Sequence, residues 1–167
     1  MIHTEMEEKN IDKHSWTSIL VNLAEDNVDF VVVGGAALSL HGLPRTTLDL
    51  DIYIAKNNIA VIFEQLQKLG LTTDQESLFK VSRANPALTV GQWVTFKDSQ
   101  EIDLIDVFIE DSITFSELLI NAEDIKIFDS IKIKVASLTD IKQMKEKINR
   151  PIDKADIALI DEFIEKK

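Results

Sequence analysis

The chain has 167 residues, of which 45% are hydrophobic and 28% charged, so it is long and apolar enough to fold around a core of its own. It carries 18 Lys and Arg against 29 Asp and Glu, and the formal net charge of −11 argues against binding to extended nucleic acid, which requires a basic surface. Cysteine is absent, which excludes disulfides and cysteine-ligated zinc sites.

The N-terminal segment is acidic and polar, and no apolar run approaches the ~20 residues needed to cross a bilayer. These features predict neither a signal peptide nor a membrane-spanning helix, and they favour a cytoplasmic protein. No repeat or low-complexity segment divides the chain. We therefore expect one domain over residues 1–167, with residues 1–12 loose and residues 137–167 helical.

Apolar residues recur at helical spacing in several segments, most of which begin with a capping residue or proline or end with glycine. In chain order, the segments predicted to be helical begin at Ser15, run from Ala36 to His41 and from Asn57 to Leu69, lie near Ser116, and begin at Ser137 and at Pro151.

Short β-branched or alternating runs predict the strands, which lie at 30–33, 48–54, 91–97, 101–108 and 125–135, the last folding back at Asp129 and Ser130. Residues 78–108 are strand-rich as a whole, and 91–97 is expected to pair with 101–108 as a hairpin. Because helices and strands alternate early and strands cluster later, we expect an α/β (α+β) fold, a mixed β-sheet with flanking helices.

Two aspartates in the strand 48–54 are the clearest candidates for chemistry. Residues two apart on a strand point to the same face, so Asp49 and Asp51 project together while Leu50 and Ile52 face the core. Two such carboxylates repel each other unless a cation lies between them, and Mg²⁺ takes oxygen ligands of this kind. The alternative is a solvated strand face without a ligand.

A second acidic segment, residues 101–106, offers a third carboxylate. Alternation places Asp103 and Asp106 on opposite faces of this strand. If the apolar residues at 102 and 104 face the core, Asp103 joins the first two aspartates, and Asp106 reaches them only if a β-bulge shifts the register. The alternative is an ordinary charged edge strand.

Gly34 and Gly35 lie where the strand 30–33 turns into a helix. A glycine turn lets the backbone approach a ligand closely, and a helix N-terminus offers free N–H groups to an anion. The segment is neither a P-loop nor a Gly-x-Gly-x-x-Gly fingerprint, and the alternative is a purely structural corner.

In combination these elements resemble the nucleotidyltransferase superfamily of the DNA polymerase β type. The superfamily signature is an apolar residue, glycine, then glycine or serine, a spacer and Asp-x-Asp, with one more acid on a later strand. It corresponds here to Val33-Gly34-Gly35, residues 36–48, Asp49-Leu50-Asp51 and the acidic segment.

A narrower resemblance is to the small prokaryotic nucleotidyltransferases of toxin–antitoxin and abortive-infection systems. It rests on Val33-Gly34-Gly35-Ala36-Ala37, Gly42, Arg45-Thr46-Thr47 and the Asp-x-Asp. Residues 138–156 are similar to the helical tail of that group.

The resemblance implies a nucleotidyltransferase fold and a role for each motif. Three carboxylates would hold two divalent metal ions, Mg²⁺ or Mn²⁺, which bridge the triphosphate of an NTP and activate an acceptor hydroxyl. The glycine turn would cradle the β- and γ-phosphates, and a basic side chain would neutralise the charge on them. The residues assigned to these roles are Asp49, Asp51 and Asp103 for metal and catalysis, and Gly34, Gly35, Arg45 and Lys145 for the nucleotide.

The C-terminal basic residues have two readings. Lys145 borders an apolar helical stripe and either binds phosphate or is an ordinary solvated lysine. Arg150 is interpreted as the structural ion-pair partner of Asp153 or Asp156, and Asp153→Ala is expected to cost little stability beyond a first-turn charge effect.

The resemblance implies transfer of an NMP group from an NTP to a hydroxyl of a cognate toxin protein, a tRNA end or a small molecule such as an antibiotic. The acidic composition and the lack of a basic domain weigh against RNA. Two other interpretations remain open: a catalytically inactive nucleotidyltransferase-fold antitoxin or nucleotide-binding protein, and an α/β interaction domain whose motif is coincidental.

Overall fold

The structure, a computed structural model, describes residues 15–74, 92–128 and 130–167. The expectations for residues 1–12 and for the strand-rich segment 78–91 lie outside the described residues. The helices are α1 Trp16–Glu25, α2 Gly34–Leu40, α3 Ile59–Lys68, α4 Ser112–Asn121, α5 Leu138–Ile148 and α6 Pro151–Glu165, with a 3₁₀ turn at Lys56–Asn58. The strands are β1 Val31–Val33, β2 Leu50–Ala55, β3 Trp93–Lys97, β4 Asp103–Glu110, β5 Glu123–Ile127 and β6 Ile131–Val135.

The described strands form one mixed sheet in the order β3-β4-β2-β1-β6-β5. β2 runs parallel to β4 and antiparallel to β1, while β1 runs parallel to β6. The hairpins β3–β4 and β5–β6 form the two ends of the sheet. The predicted mixed sheet with flanking helices is confirmed, and so is the predicted hairpin, in which Trp93–Lys97 pairs with the strand that begins at Asp103.

Helix boundaries follow from side chains near each end. Ser15 and Asp111 accept hydrogen bonds from backbone N–H groups at the N-termini of α1 and α4. Asn149 adopts the left-handed conformation (φ 57°) after α5, and Pro151 then begins α6. The tight connection stacks the two C-terminal helices beside each other.

The side chains of β2 and β4 divide between two faces of the sheet. Leu50, Ile52 and Ile54 are fully buried on one face, where Phe63 of α3 packs edge-on against Phe96 with ring centroids 4.9 Å apart. The opposite face carries the carboxylates of Asp51 and Asp106 and the stacked rings of Tyr53 and Phe108. Within the described ranges, no helix is long and apolar enough to span a membrane.

Two boundaries differ from the sequence expectation in a way that matters for the site. α2 begins at Gly34 itself, so both glycines belong to the first helical turn. β4 begins at Asp103, and its pairing with β3 shifts between Phe96 and Lys97. This β-bulge changes which face each later residue of β4 occupies.

We expect the N-cap of α5 to contribute measurably to stability, because Ser137 Oγ accepts a hydrogen bond from Asp140 N at 3.1 Å. Ser137→Ala should lower the free energy of unfolding by about 1 kcal/mol in urea denaturation. Ser137→Asp restores a capping acceptor and should recover most of that loss. Equal losses in both variants would contradict the capping role.

Candidate active site

Three carboxylates meet on the sheet face opposite Leu50 and Ile52. Asp49, Asp51 and Asp106 each offer one oxygen, and these oxygens all lie within 4.8 Å of one another. Asp51 and Asp106 are direct partners in the parallel pairing of β2 with β4, and Asp49, two residues before Asp51, lies just before β2. Clustered carboxylate oxygens are the donor set that hard divalent ions prefer, so these residues fit the metal that the sequence resemblance implies.

The β-bulge in β4 decides the third member of this cluster. Phe96 pairs with Ile105 whereas Lys97 pairs with Asp103, so Leu104 is accommodated as an extra residue. Beyond the bulge Asp106 shares a face with Asp51, while Asp103 is exposed and is not part of the cluster. The placement predicted for Asp103 is therefore corrected to Asp106. Asp103 was expected to join the cluster on the condition that residues 102 and 104 face the core, and Ile102 does not meet it, because it is 51% exposed.

Two of the three clustered carboxylates, those of Asp51 and Asp106, are partly buried. Burial, followed by the charges of Asp106 and Asp49, raises the pKa of Asp51 to about 7. Burial also raises the pKa of Asp106, although a hydrogen bond donated by Thr95 Oγ1 to Asp106 Oδ1 acts in the opposite direction. A divalent cation bound between the carboxylates would reduce this repulsion. The charges of the cluster therefore favour a metal ion, as its geometry does.

The glycine turn abuts this cluster. Gly34 has φ +68°, and a Cβ built on it would overlap Asp51 Oδ2. Gly35 has no such backbone requirement, and a Cβ there would lie 3.2 Å from Cβ of Thr47 and 3.6 Å from Cζ of Arg45. Gly34 therefore makes room for the carboxylate of Asp51, and Gly35 makes room for the loop that precedes β2.

Arg45 and Lys145 are joined by a buried carboxylate. Arg45 Nε donates to Asp156 Oδ1 at 2.9 Å, and Lys145 Nζ donates to Asp156 Oδ2 at 2.8 Å. The side chains of Lys145 and Asp156 are only 8% and 3% exposed. Lys145 is thus not a solvated helix lysine, and its charge acts to lower the pKa of Asp51.

The ion pair predicted for Arg150 is confirmed with Asp153. Arg150 Nε lies 2.8 Å from Asp153 Oδ2, and the guanidinium holds the pKa of Asp153 down at about 2. Asp153 is fully buried and also lies 3.5 Å from Lys145 Nζ. Removal of one partner of a buried pair commonly costs about 3–5 kcal/mol, so the small stability effect expected for Asp153→Ala is corrected to a larger one. The charge of Arg150 also reaches Asp51, which sequence reasoning missed.

Two concave regions adjoin at this face of the sheet. A small pocket of about 90 Å³ is lined by Gly34, Asp51, Lys145 and Arg150, among others. A larger region of about 550 Å³, the α4–α5 cleft, lies between α4, α5 and the ends of β2 and β4. Tyr53, Met144 and Ile148 line both.

Sequence reasoning missed the polar lining of the α4–α5 cleft. Glu117 and Asn121 recur on one face of α4, as do Asp140 and Lys147 on one face of α5. Their helical spacing was available in the sequence. The sequence did not indicate that these two helix faces lie opposite each other, because this depends on how α4 and α5 pack over the sheet.

Alanine at Gly34 should be much more harmful than alanine at Gly42. Both glycines have positive φ, but a Cβ at Gly42 would meet no atom within 4 Å. Gly42→Ala should cost about 1–2 kcal/mol of backbone strain, and Gly34→Ala should cost about 3 kcal/mol or more because it also displaces Asp51. Urea denaturation compares them, and similar losses would show that Gly34 does not need to accommodate Asp51.

The raised pKa of Asp51 predicts a pH-dependent cost. Because the pKa is higher in the folded chain, the stability contributed by this group is present below 3.8 and is lost as pH rises from 3.8 to about 7. Without divalent ions at pH 8, Asp51→Asn should therefore unfold at a higher urea concentration than the native chain. Its free energy of unfolding should be higher by an amount on the order of a few kcal/mol. This difference in the free energy of unfolding should vanish near pH 3.8.

Mg²⁺ provides the matching control for Asp51. It should stabilise the native chain more than Asp51→Asn, because only the native chain retains the full carboxylate set. A variant that is less stable than the native chain at pH 8 would instead make Asp51 a structural residue.

Comparisons with known proteins agree with this geometry. A search of curated protein sequences gave no significant match. Among solved structures, the chain is similar to a crystal structure of a candidate nucleotidyltransferase from Thermotoga maritima, with a TM-score of 0.57 and 16% sequence identity, over 90% of this chain and 91% of that one. At this identity the likeness shows the fold, which is the nucleotidyltransferase fold expected from the sequence.

The family model extends over almost all of the described chain. Residues 17–161 match the family described as nucleotidyltransferase of unknown function (DUF6036). This range includes the glycine turn, all three clustered carboxylates and the ion-pair network of the C-terminal helices. The chain belongs to this nucleotidyltransferase family.

Proposed function

We propose that the protein is a metal-dependent nucleotidyltransferase that moves an NMP group from an NTP to an acceptor hydroxyl. The observation that carries this proposal is the cluster of Asp49, Asp51 and Asp106 beside the glycine turn of a member of a nucleotidyltransferase family. A divalent ion bound there, Mg²⁺ or Mn²⁺, would supply Lewis-acid stabilisation of charge on phosphoryl oxygens.

The reaction is a phosphoryl substitution. The acceptor oxygen forms a bond to the α-phosphorus, and the bond from that phosphorus to the oxygen bridging to the β-phosphorus breaks. Pyrophosphate leaves with the bonding electrons, and the hydroxyl proton passes to a carboxylate of the cluster and then to water. Catalysis of such a step depends mainly on positioning and on electrostatic stabilisation.

Basic side chains around the small pocket suit the triphosphate. Lys145 and Arg150 line the pocket beside Asp51, and Arg45 lies against Gly35. Asp156 orients Arg45 and Lys145 by accepting from both. We propose that these cations neutralise the charge on the leaving pyrophosphate, and that the backbone of the turn at Gly34 and Gly35, which lies against Asp51 and Arg45, contacts the phosphates.

Two carboxylates on β4 give a matched test of the proposal. Asp106→Asn should lower NMP transfer at least about a hundredfold, because it removes a ligand from the cluster. Asp103→Asn should retain most of the transfer, since Asp103 lies outside the cluster. The measurement is pyrophosphate release and transfer of label from each α-labelled NTP with Mg²⁺ or Mn²⁺, beside metal-dependent NTP binding by calorimetry.

The outcomes separate the interpretations. Loss of transfer in Asp103→Asn but not in Asp106→Asn would contradict the site assignment. Metal-dependent NTP binding with no transfer to protein, RNA or small-molecule acceptors would favour the inactive antitoxin or nucleotide-binding alternative. Transfer to the product of a neighbouring toxin gene would identify a protein acceptor.

A further inference from the structure

β5 lies at an open edge of the sheet. It pairs with β6 on one side, and no other strand of the described ranges lies on its outer side. An edge strand presents a row of unpaired backbone N–H and C=O groups, which is a template for pairing with another strand. At the opposite end of the sheet, Thr72 pairs with Lys97 of β3 and covers part of that edge. β5 is therefore the edge at which the sheet is best able to accept a further strand.

The side chains of β5 alternate between an apolar and a charged face. Ile125 and Ile127 are half-buried and pack partly against the core, on the face that also carries Ile133 of β6. Asp124 and Lys126 lie on the other face and are exposed. A strand added beside β5 would cover the outer side of the isoleucines and would bring new neighbours to the two charges.

The charges on this face are not balanced between β5 and β6. Asp124 lies opposite Lys134 and forms an ion pair with it at 3.0 Å. Lys126 lies opposite Lys132, and like charges directly opposite each other on neighbouring strands are destabilising. A carboxylate on the outer side of Lys126 would offset this repulsion. The edge is thus complementary to a strand that places an acidic residue beside Lys126.

A second copy of β5 meets this requirement. Two copies related by a two-fold axis perpendicular to the sheet run antiparallel, and the residue on the axis lies opposite its own copy. Glu123, Asp124 or Lys126 on the axis would place like charges opposite each other. Ile127 on the axis would carry the pairing into the turn that follows β5. With Ile125 on the axis, all of β5 is paired, and Asp124 of each copy lies opposite Lys126 of the other.

We propose that β5 is a dimerisation edge, at which two copies of this chain join their sheets by antiparallel pairing centred on Ile125. Each Lys126 then lies between Lys132 of its own chain and Asp124 of the other copy, and the two Ile125 side chains contact each other. The carboxylate cluster lies on β2 and β4, separated from β5 by β1 and β6. The inference is therefore independent of the proposed transfer reaction.

Sedimentation velocity of the full chain over a concentration series tests the dimer. Pairing through one short strand makes a small interface, so we expect a dissociation constant on the order of 10–100 µM. Lys126→Glu should raise this constant at least about tenfold, because an attraction becomes a repulsion at two symmetric positions. The fold should be retained, since the introduced carboxylate lies opposite Lys132 within the same chain.

A charge exchange tests the register of the pairing. Asp124→Lys combined with Lys126→Glu restores opposite charges across the interface. Within each chain it exchanges the attraction at Lys134 for one at Lys132, so the balance of charges between β5 and β6 is kept. The double variant should dimerise with a dissociation constant within about threefold of the native value.

Lys68→Glu is the matched control, because it makes the same change of charge as Lys126→Glu at an exposed residue of α3. α3 packs through Phe63 against Phe96 of β3, at the end of the sheet opposite β5. This variant should leave the dissociation constant unchanged.

Three results would overturn the inference. The first is a native chain that remains monomeric at millimolar concentration. The second is a dimer that Lys126→Glu weakens no more than Lys68→Glu does, which would place the contact on another surface. The third is a double variant that is folded by circular dichroism but does not recover dimerisation, which would reject the pairing centred on Ile125.

Discussion

Three carboxylates that repel one another lie side by side on one face of the sheet. Asp49, Asp51 and Asp106 lie within bonding reach of one ion, and Asp51 is buried enough that its pKa rises to about 7. Such a cluster opposes folding in the absence of a cation. Burial of apolar side chains on the other face of the sheet offsets the free-energy cost of this repulsion. Leu50 and Ile52 of β2 pack there with the residues of β4 that pair with them, and they hold the two strands together.

The C-terminal helices supply the opposing charge. Lys145 and Arg150 both act to lower the pKa of Asp51, and each is held by a buried aspartate of α6. Asp153 and Asp156 are otherwise hard to explain, since fully buried carboxylates are costly unless they are paired. Their role is to fix basic side chains beside the cluster, so α6 acts on the site without contributing a ligand to it.

The sequence predicted the features that depend on local chemistry. Ser15, Ser137 and Pro151 mark helix starts through short-range bonds or fixed backbone angles, and those elements are where the pattern placed them. The placement of Asp103 in the cluster was wrong because the β-bulge that brings in Asp106 depends on how β3 pairs with β4, which alternation within one strand does not encode. The α4–α5 cleft was missed for a related reason, as it is formed by helices distant in the chain.

One helix divides the polar region into two electrostatic environments. On α5, Ile141 and Lys145 line the small pocket, Asp140 and Lys147 line the α4–α5 cleft, and Met144 and Ile148 lie at the border and line both. Positions separated by three or four residues form one stripe, so these are adjacent stripes of a single helix. The first stripe places a buried cation beside the carboxylate cluster, and the second lies opposite the acidic residues of α4 and β4. The charges of Lys145 and Arg150 therefore favour an anionic group on the first side over the second. The register of α5 over the sheet therefore determines which of its side chains lie beside the carboxylate cluster.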